Sequence, residues 1–338
     1  MIKEYKSISA VPAEHLPAIC DNMFFSEDYA NCVAAEGRKL FILASQTHMI
    51  PFVLTQKLCF RYGSFAYQPV PLCAEAEGSA REFLDVAVEY LAKKKHVHFI
   101  NPTPAYTYFE DCPTQSQRIP FGNHVCDLTV SEDALLMKMH SKHRNCVRKA
   151  QKDGVVVKMG QDEALLSDYM QMDRETWTRS NKSSSGEAFY RSKIQAMPHN
   201  SMVFIAYKDD VPQSGALIYY DKTCGYYMFG ANKNAPYNGA GNLLQWEIML
   251  WLKSNGVKKY SFVGCRINED EDSKYHGIQR FKERFGGELV QGYMFKCVCN
   301  TFMHALFLGI MKMRGASTSD VIDQEICKWE ALNTSANS

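Results

Sequence analysis

Apolar and polar positions change rhythm in a fixed order between residues 226 and 299. Tyr226-Tyr227-Met228-Phe229 is short and aromatic, as a buried strand is, and residues 230–242 carry the loop composition Pro236-Tyr237-Asn238-Gly239-Ala240-Gly241. Over 242–254, Leu243, Leu244, Trp246, Ile248, Met249 and Leu252 are too dense for a solvated helix, and Asn255-Gly256 supplies a left-handed stop. Residues 257–263 then read as a strand, 264–275 as a polar loop, 277–285 as a second helix and 288–299 as a further strand. That order predicts an α/β unit with its site at the strand ends.

Upstream, 17–23 and 28–35 suit short helices, and the text turns strand-like at 40–44, 49–54 and 58–67, ending on the turn Pro69-Val70-Pro71. Ser79 with Glu82 forms a capping box for a helix whose Phe83, Val86, Ala87, Tyr90 and Leu91 make one face, closed by Lys93-Lys94-Lys95. Residues 97–100 read as a strand, stopped by Asn101-Pro102, and 106–109 as a helical turn. Helical text over 163–179 precedes a polar loop at 181–186, and 202–207, 216–220 and 226–230 form a meander. The order of elements in the first third echoes that in the last third, without a sequence repeat.

Residues 131–152 predict one helix, with Ser131 as N-cap, Glu132 and Asp133 at its positive end and Asp153-Gly154 as its stop. Leu135, Leu136, Met139, Cys146, Val147 and Ala150 cluster on one side, Lys138, Lys142, Asn145, Lys149 and Lys152 on the other. Arg144 and Arg148 widen the second face, and no acidic residue falls between Lys138 and Lys152. Such a face is either simply solvated or turned toward a polyanion.

Composition narrows the chemistry. The 338 residues fit two packed lobes, and 38 basic against 37 acidic residues leave no global attraction to DNA. Twelve cysteines without paired Cys-x-x-Cys spacing, sixteen methionines and no secretory pattern point to a reducing cytoplasm; Cys297-Val298-Cys299 lacks the second pair a metal site needs. No stretch reaches the 18 to 20 apolar residues, roughly, that span a bilayer. The nearest, 302–313, with Lys312 and Arg314 beside it, reads either as a helix packed on the first lobe or as a peripheral contact with the inner face of the membrane. The chain shows no nucleophile elbow, Walker loop or clustered metal ligands, so positioning and charge stabilisation are left to carry the chemistry.

Three stretches carry a family resemblance: Lys259-Tyr260-Ser261-Phe262-Val263-Gly264; Gly277-Ile278-Gln279-Arg280-Phe281-Lys282-Glu283-Arg284-Phe285-Gly286-Gly287; and Asp127-Leu128-Thr129 leading through Arg144, Arg148 and Lys149 to Gly154-Val155. Over about residues 125–295 the chain resembles acyl-transfer domains of the GNAT type, and more closely the FemABX family of peptidoglycan aminoacyl transferases. The resemblance implies an α/β (α+β) chain of two GNAT-like lobes, each a mixed twisted sheet flanked by helices. The first would comprise 1–126 plus 290–338, the second 127–289.

It also implies roles. Lys282 matches the lysine that offsets charge on the donor or intermediate. Arg144, Arg148 and Lys149, with Gly239 and Gly241 before a helix, would hold the phosphates of a tRNA, and Trp177, Arg179, Tyr227, Phe229 and Arg266 would contact substrate. Asp270, Glu271 and Asp272 are candidates to recognise an amine. The expected Gln or Arg three residues before Gly239 is Pro236, which disfavours coenzyme A. Ser261 and Val263 stand where the family commonly has acidic and glycine residues, which removes an acidic base. The expectation is a transferase without tightly bound cofactor or metal, moving an amino acid from aminoacyl-tRNA to an amine of a nucleotide- or lipid-linked cell-wall precursor. The alternatives are an acyl-CoA-dependent N-acyltransferase acting on an amino sugar of a surface polysaccharide, and a non-catalytic tRNA- or precursor-binding protein.

Overall fold

The structure, a computed structural model, describes residues 1–73, 80–180, 182–267 and 274–336. Ser79, Asn181 of the polar loop and Asp270, Glu271 and Asp272 lie outside the described residues. The chain divides into two compact units, one made of 1–20, 24–122 and 291–338, the other of 21–23 and 123–290. Mixed sheets flanked by helices build both, as the family resemblance implies.

In the first unit β1 (Lys3–Tyr5), β2 (Lys39–Ala44), β3 (His48–Lys57) and β4 (Phe60–Phe65) pair antiparallel in that order, with the short helices α1 (Leu16–Ile19) and α2 (Glu27–Ala35) between β1 and β2. The expected turn at Pro69 is instead extended: β5 (Val70–Pro71) pairs with β3, Met49 opposite Val70. Helix α3 (Ala80–Lys95) crosses over to β6 (Phe99–Ile100), which runs parallel to β4. The predicted helical turn at 106–109 is also absent. Phe109 is drawn into a bridge with Tyr293, because its fully buried ring packs 5.0 Å from Phe295. Phe41, Phe52, Phe65, Leu84 and Leu91 complete that core.

β7 (Gln117–Asp127) carries the chain into the second unit, where the single helix expected over 131–152 proves to be two. Met139, at ψ 143°, separates α4 (Glu132–Lys138) from α5 (Ser141–Lys152). The intrahelical bonds lost at the break are replaced from outside. Arg144 Nη1 donates to the carbonyls of Met137 and Met139, His140 Nδ1 accepts from Lys142 N, and His140 N donates to the Arg284 carbonyl at 2.8 Å. The sequence there has neither proline nor glycine, so propensity alone does not mark the break.

β8 (Val156–Gly160), α6 (Glu163–Arg179) and α7 (Glu187–Ala196) lead into the antiparallel strands β9 (Ser201–Lys208), β10 (Val211–Tyr220) and β11 (Cys224–Asn232). Helix α8 (Ala240–Ser254) then crosses over to β12 (Lys259–Ser261), parallel to β11 and antiparallel to the end of β7. The apolar residues of α8 fill the core as expected: Leu243, Leu244, Ile248, Met249 and Leu252 are buried against Phe204, Ala216, Ile218 and Tyr260. After β13 (Cys265–Arg266) and α9 (Lys274–Glu283), Gly286 turns the chain at φ +79°. A Cβ there would meet the Lys138 main chain at 2.7 Å, so the Gly286 of the motif lets the end of α9 lie against the end of α4.

β14 (Glu288–Val298) returns to the first unit, antiparallel to β6, and is followed by α10 (Thr301–Met313) and α11 (Val321–Ala336). Lys296 is 7% exposed and pairs with Asp320 and Asp323 at 2.7 and 2.6 Å. α10 divides its apolar residues between two faces. Phe307 packs on Phe60, Tyr62 and Phe99 with centroids 4.9–5.3 Å apart, while Phe302, Leu306 and Met313 remain 74, 42 and 82% exposed. No described helix is long and apolar enough to cross a membrane.

His143 of α5 is buried, with its ring centroid 4.7 Å from Phe285 and 5.3 Å from Phe281, and its Nδ1 has no hydrogen-bond partner. Burial, seconded by the charges of Arg284 and His140, pushes its pKa down to about 4. The unfolded imidazole takes a proton near pH 6.5, well before the folded one. Its contribution to stability is therefore complete above about 6.5 and is lost as the pH falls toward about 4. In thermal melts, His143→Phe should lose less Tm than the wild type between about pH 7 and about pH 4.5; equal losses would refute this assignment.

Candidate active site

Where β11 opens away from β12, the second unit holds a cleft of about 850 Å³. A bulge in β11 shapes its wall: Leu217 faces Phe229 and Ile218 faces Tyr227, so Met228 has no partner on β10. The extra residue sends Tyr227 and Phe229 to opposite faces. Tyr227 lines the cleft beside Phe262, at 6.4 Å between centroids, and burial raises its hydroxyl pKa to about 12. Phe229 packs instead on Phe189, Tyr190 and Tyr219, away from the lining residues.

Lys282 of α9 forms part of the floor and is 8% exposed. Its ammonium donates to the carbonyls of Val263 and Gly264, the latter at 2.8 Å. Both carbonyls turn inward because Val263 and Gly264 sit in the left-handed region, each at φ +45°, with Ser261 Oγ accepting from Val263 N at 3.2 Å. A β-branched residue in that region is strained by roughly 1–3 kcal/mol. This chain holds the turn with valine, and Ser261 caps it. Burial lowers the Lys282 pKa to about 8, against a smaller opposing effect of Cys265. Among the described residues lining the cleft, Lys282 alone carries a formal charge.

Gly239 and Gly241 line the same cleft at the N-terminus of α8, which no side chain caps. Gly239 has φ +89°, and a Cβ on it would lie 2.7 Å from the Cys146 carbonyl oxygen, so glycine lets α5 and α8 approach. The unopposed amides of α8 suit a phosphate or an oxyanion. On the α5 face the charges are partly spent. Arg144 holds the carbonyls at the α4 break, and Lys149 pairs with Asp153, to which Tyr237 donates at 2.7 Å; Arg148 is exposed. The compensating acid that the sequence lacks inside this helix stands just past its end.

Trp177 and Arg179 lie outside the cleft lining. Trp177 Nε1 donates to Asp173 at 2.9 Å, a buried carboxylate that also accepts from Tyr190 and Ser184. Arg179 donates to the Asn232 carbonyl at 3.0 Å, and Thr176 exchanges bonds of 2.9 and 3.0 Å with the Asn232 backbone, tying α6 to the cleft end of β11. Arg266 is half-buried, and its carbonyl accepts from Gln279. Sequence reasoning overlooked Ser214, Asn232 and Gln245, all of which line the cleft, and Asp173 behind it. Gln245 did carry a signal, as an amide inside an apolar helix. No group of three metal-ligating side chains occurs among the described residues.

Comparison with known proteins agrees with this geometry. Residues 137–283 match the acetyltransferase (GNAT) domain family. A lipid II:glycine glycyltransferase of Staphylococcus haemolyticus is 29% identical over 107 residues, which is 31% of this chain and 26% of that protein. That of Staphylococcus saprophyticus is 28% identical over 126 residues, 37% of this chain and 29% of the relative, so the chain matches under a third of either relative's length. The crystal structure of FemX superposes with a TM-score of 0.64 at 15% identity, covering 82% of this chain and 92% of that one. The chain thus has the GNAT fold, and over about a third of its length it is similar to lipid II:glycine glycyltransferases.

Proposed function

We propose that the protein is an aminoacyltransferase that moves an amino acid from aminoacyl-tRNA to an amine of a cell-wall precursor, acting on the cytoplasmic side of the membrane. The observation that carries this reading is the buried Lys282 ammonium, held on two inward carbonyls as the one charge of the cleft lining among the described residues. The names of the matched relatives support the acceptor class.

The attacking amine enters neutral, since a cation beside Lys282 disfavours a second one. Its lone pair forms the new C–N bond at the ester carbonyl, and the carbonyl electrons move onto oxygen. Lys282 offsets that charge. When the intermediate collapses, the C–O bond to the ribose breaks, and the ribose oxygen leaves with the proton given up by the amine. No covalent enzyme intermediate is required. The exposed cations of α5 and the amides of α8 are the groups available to tRNA phosphates.

The donor is tested by titrating the protein with aminoacylated tRNA across salt, with acetyl coenzyme A as competitor. If about four phosphates are contacted, affinity falls roughly a hundredfold between about 50 and about 200 mM salt. Saturable coenzyme A binding without tRNA affinity would replace this donor with an acyl thioester. For Lys282, substitution by Met should lower kcat about 10²–10³-fold when assayed well below a Tm that itself falls, because the Val263 and Gly264 carbonyls lose their donor. Wild-type kcat should fall as the pH rises through about 8, where the ammonium is lost. Undiminished turnover of Lys282→Met would refute the role.

We also propose that α10 lies on the membrane that carries the precursor. Phe302, Leu306 and Met313 fall on one exposed stripe, Lys312 and Arg314 flank its last residue, and no acidic residue occurs over 301–319. Replacing Phe302 and Leu306 by Asp should cut co-sedimentation with vesicles containing anionic lipid by about tenfold or more; unchanged sedimentation would refute the contact.

A further inference from the structure

Helix α8 is apolar on its buried side except at Gln245, which stands between Leu244 and Trp246. It is 1% exposed and lines the cleft. An amide at such a position costs roughly 1–3 kcal/mol unless its polar atoms are satisfied. One of them is. The fully buried Tyr260 hydroxyl donates to Gln245 Oε1 at 2.6 Å.

That bond fixes the orientation of the amide. With the oxygen accepting from Tyr260, the two N–H groups of Nε2 are the remaining hydrogen-bonding capacity of a side chain that borders the cleft. Tyr260 is itself held: it pairs with Cys126 across the sheet and packs edge-on against Phe262 at 4.9 Å. Burial keeps its hydroxyl protonated, with its pKa well above the ordinary value, so it stays a donor at any working pH.

Lys282 leaves a need that this amide can meet. Two of its three ammonium hydrogens go to the Val263 and Gly264 carbonyls, so it offers charge but a single free donor. An oxyanion formed by attack on a carbonyl accepts more than one hydrogen bond, and fixed donors contribute most where water is excluded.

We propose that Gln245 is a catalytic hydrogen-bond donor whose Nε2 binds the acyl carbonyl oxygen and the oxyanion it becomes, and that Tyr260 is the positioning residue that aims it. The inference rests on the acyl-transfer reading. In the step, the amine lone pair bonds to the carbonyl carbon, the π pair moves onto oxygen, and Gln245 and Lys282 donate to that oxygen without giving up their protons. On collapse the pair returns and the leaving oxygen departs with the amine proton.

The test is steady-state transfer to a lipid-linked muropeptide acceptor, from aminoacyl-tRNA and, separately, from acetyl coenzyme A. Gln245→Met, which suits the apolar helix, should lower kcat about 10²–10³-fold with donor KM within about twofold, assayed well below a Tm that falls because the buried Tyr260 hydroxyl loses its acceptor. Tyr260→Phe keeps the amide but frees it to turn, and should lower kcat about tenfold without moving KM. The double variant should be no slower than Gln245→Met, because Tyr260 acts through the amide. Gln245→Glu keeps the acceptor for Tyr260 and removes the donor, so it should be as slow as Gln245→Met and serves as the second variant if Met disturbs folding. Wild-type kcat in both Gln245 variants, or losses that multiply in the double variant, would overturn the assignment while leaving acyl transfer standing. Transfer by the wild type from neither donor would overturn both.

Discussion

A buried ammonium has to be hydrogen-bonded, and much of the second unit is arranged around meeting that demand for Lys282. Its side chain reaches from α9 to the end of β12, where two consecutive residues adopt left-handed backbone so that their carbonyls face it. Holding Val263 there is costly, and the cost is offset by the cation that the turn stabilises. The turn in turn fixes where α9 lies, and Phe281 and Phe285 of that segment anchor it on His143 of α5. One lysine therefore links the sheet end, both flanking helices and the cleft floor.

The environment that stabilises the cation also tunes it. Complete burial among apolar groups would drive the amine neutral, whereas the two carbonyls keep the charged form accessible, with a pKa lowered to about 8. Near neutral pH the residue is mostly charged yet titratable within a physiological range. The rest of the lining is apolar or neutral polar, which leaves recognition of the reacting groups to dipoles and shape.

Much of this was legible in the sequence because it rests on local rules. The strand, loop, helix and strand order after Tyr226, the dense apolar helix with its Asn255-Gly256 stop, and the Lys282 segment with its terminal glycines all follow from periodicity and turn chemistry. What stayed hidden depends on contacts distant in sequence. The break at Met139 is stabilised by Arg144 and the Arg284 carbonyl, neither of which a propensity scale registers. β7 was not read as a strand because Pro120, Asn123 and His124 interrupt its apolar pattern. Trp177 looked available to a ligand but is bonded to Asp173, whose further partners Ser184 and Tyr190 lie eleven and seventeen residues beyond it. Gln245 was passed over because one amide does not disturb a helical hydrophobic pattern; only the position of Tyr260 gives it meaning.

The unpaired Met228 on β11 acts as a phase shift in the alternation of that strand. Every side chain beyond it is displayed to the face opposite the one that regular counting assigns. The wall of the cleft is thus specified by the length of a strand as well as by its letters. A relative lacking this single residue would exchange the roles of its inner and outer aromatic rings without any substitution, and would present a differently shaped wall on an unchanged scaffold.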